Sequence, residues 1–191
     1  MSIVNVHISD LHAIVGVDTE AHVFASSLAM PKVIHATKLV PFLHASTVIA
    51  VRGDGHALTY IAHRLHCGME TLTVDRIMEA LPAMAKEGYR GIATELTVVG
   101  WSAAQHRMVG AQWTGGDSMQ PIGGAVAPNM GWDAQTTPAI DRPAAMFACA
   151  REQVRRHRLS HPQEAIGGNF WIAEIRPREL TIRDYGSLEG R

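Results

Sequence analysis

The feature that most limits what this chain can fold into is the way its hydrophobic period changes along the sequence. Near the start, apolar residues alternate with others. Residues 2–8 set Ile3, Asn5 and His7 against Val4, Val6 and Ile8, and period two with β-branched residues predicts a strand. The run HAIVGV at 12–17 predicts a second strand, so the first twenty residues read as a hairpin turning at SDLH. Residues 32–53, KVIHATKLVPFLHASTVIAVRG, hold at least two more short strands. Pro41 breaks one of these or confines it to a sheet edge, and STVIAV reads as a buried strand ending at Gly53.

The period then lengthens. After Asp54 and Gly55, residues Leu58, Ile61, Ala62 and Leu65 fall at helical spacing. A second helix opens at Thr73-Val74-Asp75, presents Ile77, Met78, Leu81 and Met84 on one face, and ends near Gly88. Strands return at ATELTVVGW (93–101) and RMVGAQW (107–113), paired about the turn SAAQH. The Gly- and Pro-rich stretch 114–131 reads as loop with one short strand at most. Asp141 is a candidate N-cap, with Pro143 in the first turn, for a helix through residues 144–158. GGNFWIAEI and ELTIRDY form a closing hairpin. Strands in hairpins with grouped helices predict an α+β fold with antiparallel sheets in a layered sandwich, and argue against a doubly wound βαβ fold. No repeat, low-complexity tract or linker divides the chain, so residues 1–191 read as one domain.

Composition narrows the function classes. The 191 residues are 47% hydrophobic and 18% charged, which is globular and not disordered. A net charge of −1 supplies no global field for nucleic acid or an anionic membrane. The one basic cluster, Arg151 to Arg158, falls on a predicted helix and reads as a solvated or subunit-facing side. No apolar run reaches the roughly 18 residues that span a bilayer. Cys67 and Cys149 have no CxxC partner, and the eleven histidines form no HExxH motif, so no metal and no cofactor is expected. Two isolated thiols and no leader-like segment lead us to expect the cytoplasm, or the interior of a larger particle.

Element order and residues together resemble the proteasome β-type subunits of the N-terminal-nucleophile (Ntn) hydrolase superfamily, nearest to the bacterial proteasome-like peptidases. The resemblance rests on Ser2-Ile-Val-Asn-Val at the first strand, Ile14-Val15-Gly16-Val17-Asp18, Lys38-Leu39-Val40, and Thr47 to Gly55 before a helix. Glu95 to Gly100 resembles the family's central strand, and Ala165-Ile166-Gly167-Gly168 resembles the double glycine before its last strands. It implies a four-layer αββα sandwich with two antiparallel sheets. It also implies a homo-oligomer, ring-forming or part of a larger assembly.

The resemblance further implies a site. The hydroxyl of the first residue is the nucleophile, and its own α-amine, with a pKa of about 8, is the base. A lysine supplies positive charge, an aspartate holds the lysine, and a backbone N–H stabilises the oxyanion. The matching residues are Ser2 once Met1 is removed, Lys38, Asp18 and Gly53. Lys32 competes with Lys38, although Lys38 fits the spacing better. Each residue also has an ordinary reading. Ser2 is a common chain-start residue, and Asp18 can cap a turn over 18–20. Lys38 can guard a sheet edge, and Gly53 can simply turn the chain before a helix.

The chain also departs from the pattern. Serine stands where threonine is usual, and the family's Asp-x-x-Ser-Gly-Gly is replaced by Gln163-Glu164-Ala165-Ile166-Gly167-Gly168. The resulting expectation is a non-catalytic, structural subunit of an assembly; the alternative is an N-terminal-serine peptidase or amidohydrolase. Trp101, Trp113, Trp132 and Trp171 are expected in the core, with one or two free to anchor a subunit interface.

Overall fold

The computed structural model describes residues 2–23, 32–68, 71–88, 92–127, 139–162, 164 and 166–189. Twelve strands and three α-helices are assigned among them. In chain order these are β1 (Val4–Ile8), β2 (Ala13–Asp18), β3 (Glu20–Val23), β4 (Lys32–His35), β5 (Leu39–Phe42), β6 (Thr47–Arg52), α1 (Gly55–Gly68), α2 (Val74–Glu87), β7 (Glu95–Ser102), β8 (Arg107–Trp113), β9 (Gln120–Ile122), β10 (Gly124–Val126), α3 (Pro143–Ser160), β11 (Asn169–Arg176) and β12 (Glu179–Ser187). One five-stranded sheet runs β10-β1-β2-β11-β12 and another runs β5-β6-β7-β8-β9, every neighbour antiparallel; β3 and β4 form a separate pair. The fold is α+β, as the periods predict. Pro41 lies in edge strand β5, where its missing N–H interrupts no inner ladder.

Three apolar clusters account for the burial. Val4, Val6, Val15 and Val17 of the first sheet meet Val48, Ala50 and Val99 of the second. On the outer side of the second sheet, Ile49, Val51, Leu96 and Val98 pack with Leu58, Ile61 and Leu65 of α1 and Ile77 and Leu81 of α2. On the outer side of the first sheet, Ile3, Ile14, Phe170 and Ile172 pack with Met146, Cys149 and Val154 of α3. Strand β2 is therefore buried on both faces, which explains its nearly continuous apolar run. Asn5 faces α3, and its side-chain amide exchanges hydrogen bonds of 2.7 and 3.1 Å with Gln153. Both side chains are buried, and the exchange satisfies each of them while fixing how α3 sits on the sheet.

Three sequence expectations change. The glycine-rich stretch carries two strands, not one at most; β9 pairs with β8 and β10 with β1, so the chain passes from one sheet to the other at Gly123. The N-cap of α3 is Arg142, not Asp141. Pro143 occupies the first helical position, and the residue before a proline is held extended, here at φ −135° and ψ 147°. Residues 18–20 are not a capped turn, since only Thr19 separates β2 from β3. Arg158 keeps the water-facing side expected of it, at 39% exposure, and is also tied within the chain. It reaches Glu20 at 3.3 Å and Glu189 at 2.6 Å, while Arg155 and Arg156 both pair with Glu152. Trp113 is buried, Trp101 is partly buried, Trp171 is 37% exposed, and Trp132 lies outside the described residues. The two cysteines are free thiols, and burial pushes Cys149 up to about 11, which keeps it unreactive near neutral pH.

Strand β2 and helix α3 meet where Gly16 faces Phe170 and Met146. A Cβ at Gly16 would stand 2.4 Å from Phe170 Cζ and 2.7 Å from Met146 Sδ. Gly16→Ala should cost about 1–3 kcal/mol by overpacking, and Phe170→Leu in the same chain should recover part of that. Urea unfolding of the single and double variants checks both.

Candidate active site

The site grows from the end of β2. Alternation along that strand sends Ala13, Val15 and Val17 between the sheets and leaves Asp18 fully buried at the strand's last position. A buried carboxylate must be hydrogen-bonded or paired, and Asp18 is both. Its Oδ1 accepts from the Ile3 backbone N–H at 2.8 Å and from Lys38 Nζ at 2.8 Å, and its Oδ2 accepts from Gly167 N–H at 3.2 Å. Two donors on one oxygen put the lysine nitrogen within two hydrogen-bond lengths of the peptide bond that follows Ser2.

Each donor is placed by its own element. Lys38 stands one residue before β5, and its carbonyl accepts from Val51 N–H at 2.9 Å, extending the β5–β6 ladder. Lys38 is 6% exposed. Burial lowers its pKa below the usual lysine range, although the Asp18 charge and hydrogen bond push it up. Gly167 is held because its carbonyl accepts from the N–H groups of both Thr19 and Glu20, each at 3.2 Å. Gly168 adopts φ +71°, and a Cβ there would lie 2.6 Å from Thr19 Oγ1 and 2.8 Å from the His35 ring. The double glycine is thus required by backbone conformation and close approach.

Ser2 and Gly53 open onto a common cavity of about 670 Å³, walled also by Arg52, Lys86, Thr94 and Trp113. Gly53 has φ +99°, and a Cβ on it would lie 2.1 Å from the Ala93 carbonyl oxygen, so only glycine fits. Lys38 does not line this cavity. It lies against a smaller hollow of about 130 Å³ with Thr19, His35 and Trp171.

The four residues singled out in the sequence therefore fall into two linked groups. Ser2 and Gly53 share the cavity, and Asp18 and Lys38 form a buried pair tied to the Ser2–Ile3 peptide. Met1, Gln163, Ala165 and the side chain of Lys32 lie outside the described residues. Glu164 reaches His157 Nε2 at 3.0 Å, and Ile166 is fully buried in the α3 cluster.

Sequence reading missed Arg52, Glu95 and Gln112. Arg52 Nε donates to the Ser2 carbonyl at 3.0 Å and its Nη1 meets Glu95 at 2.8 Å; Gln112 Nε2 also donates to Glu95 at 3.0 Å. Arg52 and Glu95 are direct cross-strand partners of β6 and β7, so opposite charges at matching strand ends were the available signal. Among the described residues no cluster of His, Cys, Asp or Glu has the makings of a metal site, and no helix is long and apolar enough to cross a membrane.

No protein-family model matches the sequence, and no curated protein does. Solved structures do. A mutant of Anbu from Hyphomicrobium sp. strain MC1 superposes with a TM-score of 0.73 at 9% identity, over 97% of this chain and 88% of that one. A second Anbu structure from the same organism gives 0.71 at 11% identity, over 96% and 87%. The fold is proteasome-like. At such identity the likeness carries the fold alone.

The buried pair yields two predictions. Lys38→Met strands a buried carboxylate and should cost about 3–5 kcal/mol. Adding Asp18→Asn should recover part of that loss, because the uncompensated charge disappears. A double-mutant cycle in urea measures both, and additive losses would contradict the pairing. The second prediction concerns alkaline pH. The folded pKa of Lys38 lies below the unfolded value of 10.5. Between the two, the unfolded chain binds the extra proton, so stability rises with pH through that window. Wild type should show this alkaline gain relative to Lys38→Met, measured as the difference in unfolding free energy from neutral pH to about 10.5.

Proposed function

We propose that this chain is a proteasome-like subunit, a single domain layered helix–sheet–sheet–helix, that hydrolyses amide bonds with Ser2 after Met1 is removed. Three separate apolar clusters support the layering. One observation carries the chemistry. A fully buried Asp18 carboxylate grips Lys38 and the Ile3 N–H together, directly beside Ser2 and its cavity. A buried ion pair adds little to stability compared with apolar residues of the same volume, and a lysine whose pKa burial lowers, paired with a specific carboxylate near a cleft, is the kind of group that reactive sites use.

The steps follow from these groups. Ser2 Oγ adds to the amide carbonyl carbon while its proton passes to the Ser2 α-amine. The oxyanion is met by the Gly53 N–H, and Lys38 provides positive charge nearby. The C–N bond then breaks, the leaving amine takes the proton from the α-amine, and a Ser2 ester remains. Water attacks that ester by the same proton route and releases the acid. Asp18 touches no reacting atom; it positions Lys38 and the strand that bears Ser2.

A second reading, a structural subunit without chemistry, draws on Ile166. It is buried and apolar where the resemblance implies a hydroxyl, and neighbouring Glu164 is engaged by His157. Both readings place the chain in a homo-oligomer, for which the exposed Trp171 offers an anchor.

Intact mass, turnover and light scattering separate these readings. The hydrolytic reading expects a mass short by one methionine and cleavage of peptide amides that falls at least about 10³-fold in Ser2→Ala. A retained methionine, or equal turnover in Ser2→Ala, overturns it. An assembly is expected at micromolar concentration, and a monomer would remove the homo-oligomer.

A further inference from the structure

The nucleophile and oxyanion donor proposed above come from different sheets. Ser2 precedes β1 in the first, and Gly53 follows β6 in the second. Between the sheets the packing is apolar, built from residues such as Val4, Val6, Val48 and Val99. Apolar burial is non-directional. Acyl transfer instead needs the attacking oxygen and the oxyanion donor held in a narrow geometry.

A directional link crosses at this point. Arg52 is peptide-bonded to Gly53, and its Nε donates to the Ser2 carbonyl at 3.0 Å. Its Nη1 is fixed at 2.8 Å by Glu95, whose same oxygen accepts from Gln112 at 3.0 Å. A chain of contacts thus runs from β8 through β7 and β6 to Ser2, two residues before β1. Guanidinium suits the task because its donors are set in one rigid plane, so one group spans a carbonyl and a carboxylate together; lysine has no such fork. Arg52 and Glu95 also wall a second cavity, of about 200 Å³, with Val4, Val6, Ile122 and Val126, so the pair stands between the two spaces.

Resting on the N-terminal-nucleophile reading, we propose that Arg52, held by Glu95 and Gln112, is a positioning residue that fixes Ser2 relative to the Gly53 amide. The guanidinium is matched by a carboxylate, so it acts through geometry and not through its field on the Ser2 amine. Loss of the link displaces the nucleophile while leaving most of the cavity wall in place.

The test uses the full mature chain beginning at Ser2. In Arg52→Met, kcat should fall about 10²-fold, the scale of an ångström misplacement. KM should stay within about twofold of wild type and the acidic limb of the pH–rate profile should not move. Arg52→Lys should not rescue kcat, and Glu95→Gln, which keeps Arg52 but loosens it, should fall between. An unchanged kcat, a loss confined to KM, rescue by lysine or a shifted acidic limb would each overturn positioning. A second readout needs no turnover. The ¹³C shift of the Ser2 carbonyl should move in both Arg52→Met and Glu95→Gln, because that carbonyl loses or weakens its donor. An unmoved shift overturns the link whatever the activity. A moved shift in a protein whose wild type hydrolyses nothing upholds the link and overturns the nucleophile reading instead.

Discussion

Much of this structure depends on one buried carboxylate. Asp18 has no access to solvent, so its charge must be met from inside, and the three donors that meet it come from three parts of the chain. Ile3 brings the first strand, Lys38 brings the entry to the second sheet, and Gly167 brings the loop before the last hairpin. Desolvating such a group is costly unless all its lone pairs are engaged. That cost makes Asp18 a poor choice for holding the fold together and a good one for holding a site in a fixed shape.

The supports around Asp18 follow the same logic. Gly167 is placed by Thr19 and Glu20, and Gly168 is pressed against Thr19 and His35. Arg158, from the last turn of α3, bridges Glu20, Glu189 and the Ile166 carbonyl. Substituting these outlying groups disturbs Asp18 only through backbone movement, whereas substituting Lys38 strands its charge directly. On the opposite side of Ser2, Arg52 and Glu95 give the apolar contact between the sheets a defined register at the cavity.

Sequence reading went furthest where local patterning and burial agree. Strands β1, β2, β6, β7 and β8 and the three helices were legible because each repeats one period over several residues and ends at Gly, Pro or a cap. It failed at β9 and β10, where three-residue strands gain their pairing from neighbours and have no pattern of their own. It failed again at Asp141, where the proline rule outweighed the preference of Asp for a cap. Asp18 and Lys38, and the contact between them, were expected from the resemblance alone; hydrophobic period carries no sign of it, since the two stand twenty positions apart with a separate hairpin between them. Arg52 went unnoticed because a charged residue ending an apolar strand looks like a solubilising end. Its role appears only when Glu95 and Ser2 are placed beside it.

The central claim is that Ser2 has both a reactive hydroxyl and a free α-amine, poised by Lys38 and Asp18. An epoxyketone peptide tests this directly, because it closes a stable ring only with an adjacent hydroxyl and amine on the same residue. Peptide mass mapping after treatment should find the adduct on Ser2 in wild type and lose it in Lys38→Met. A chain that begins at Ser2 yet carries no adduct there, or one labelled equally without Lys38, would contradict the account.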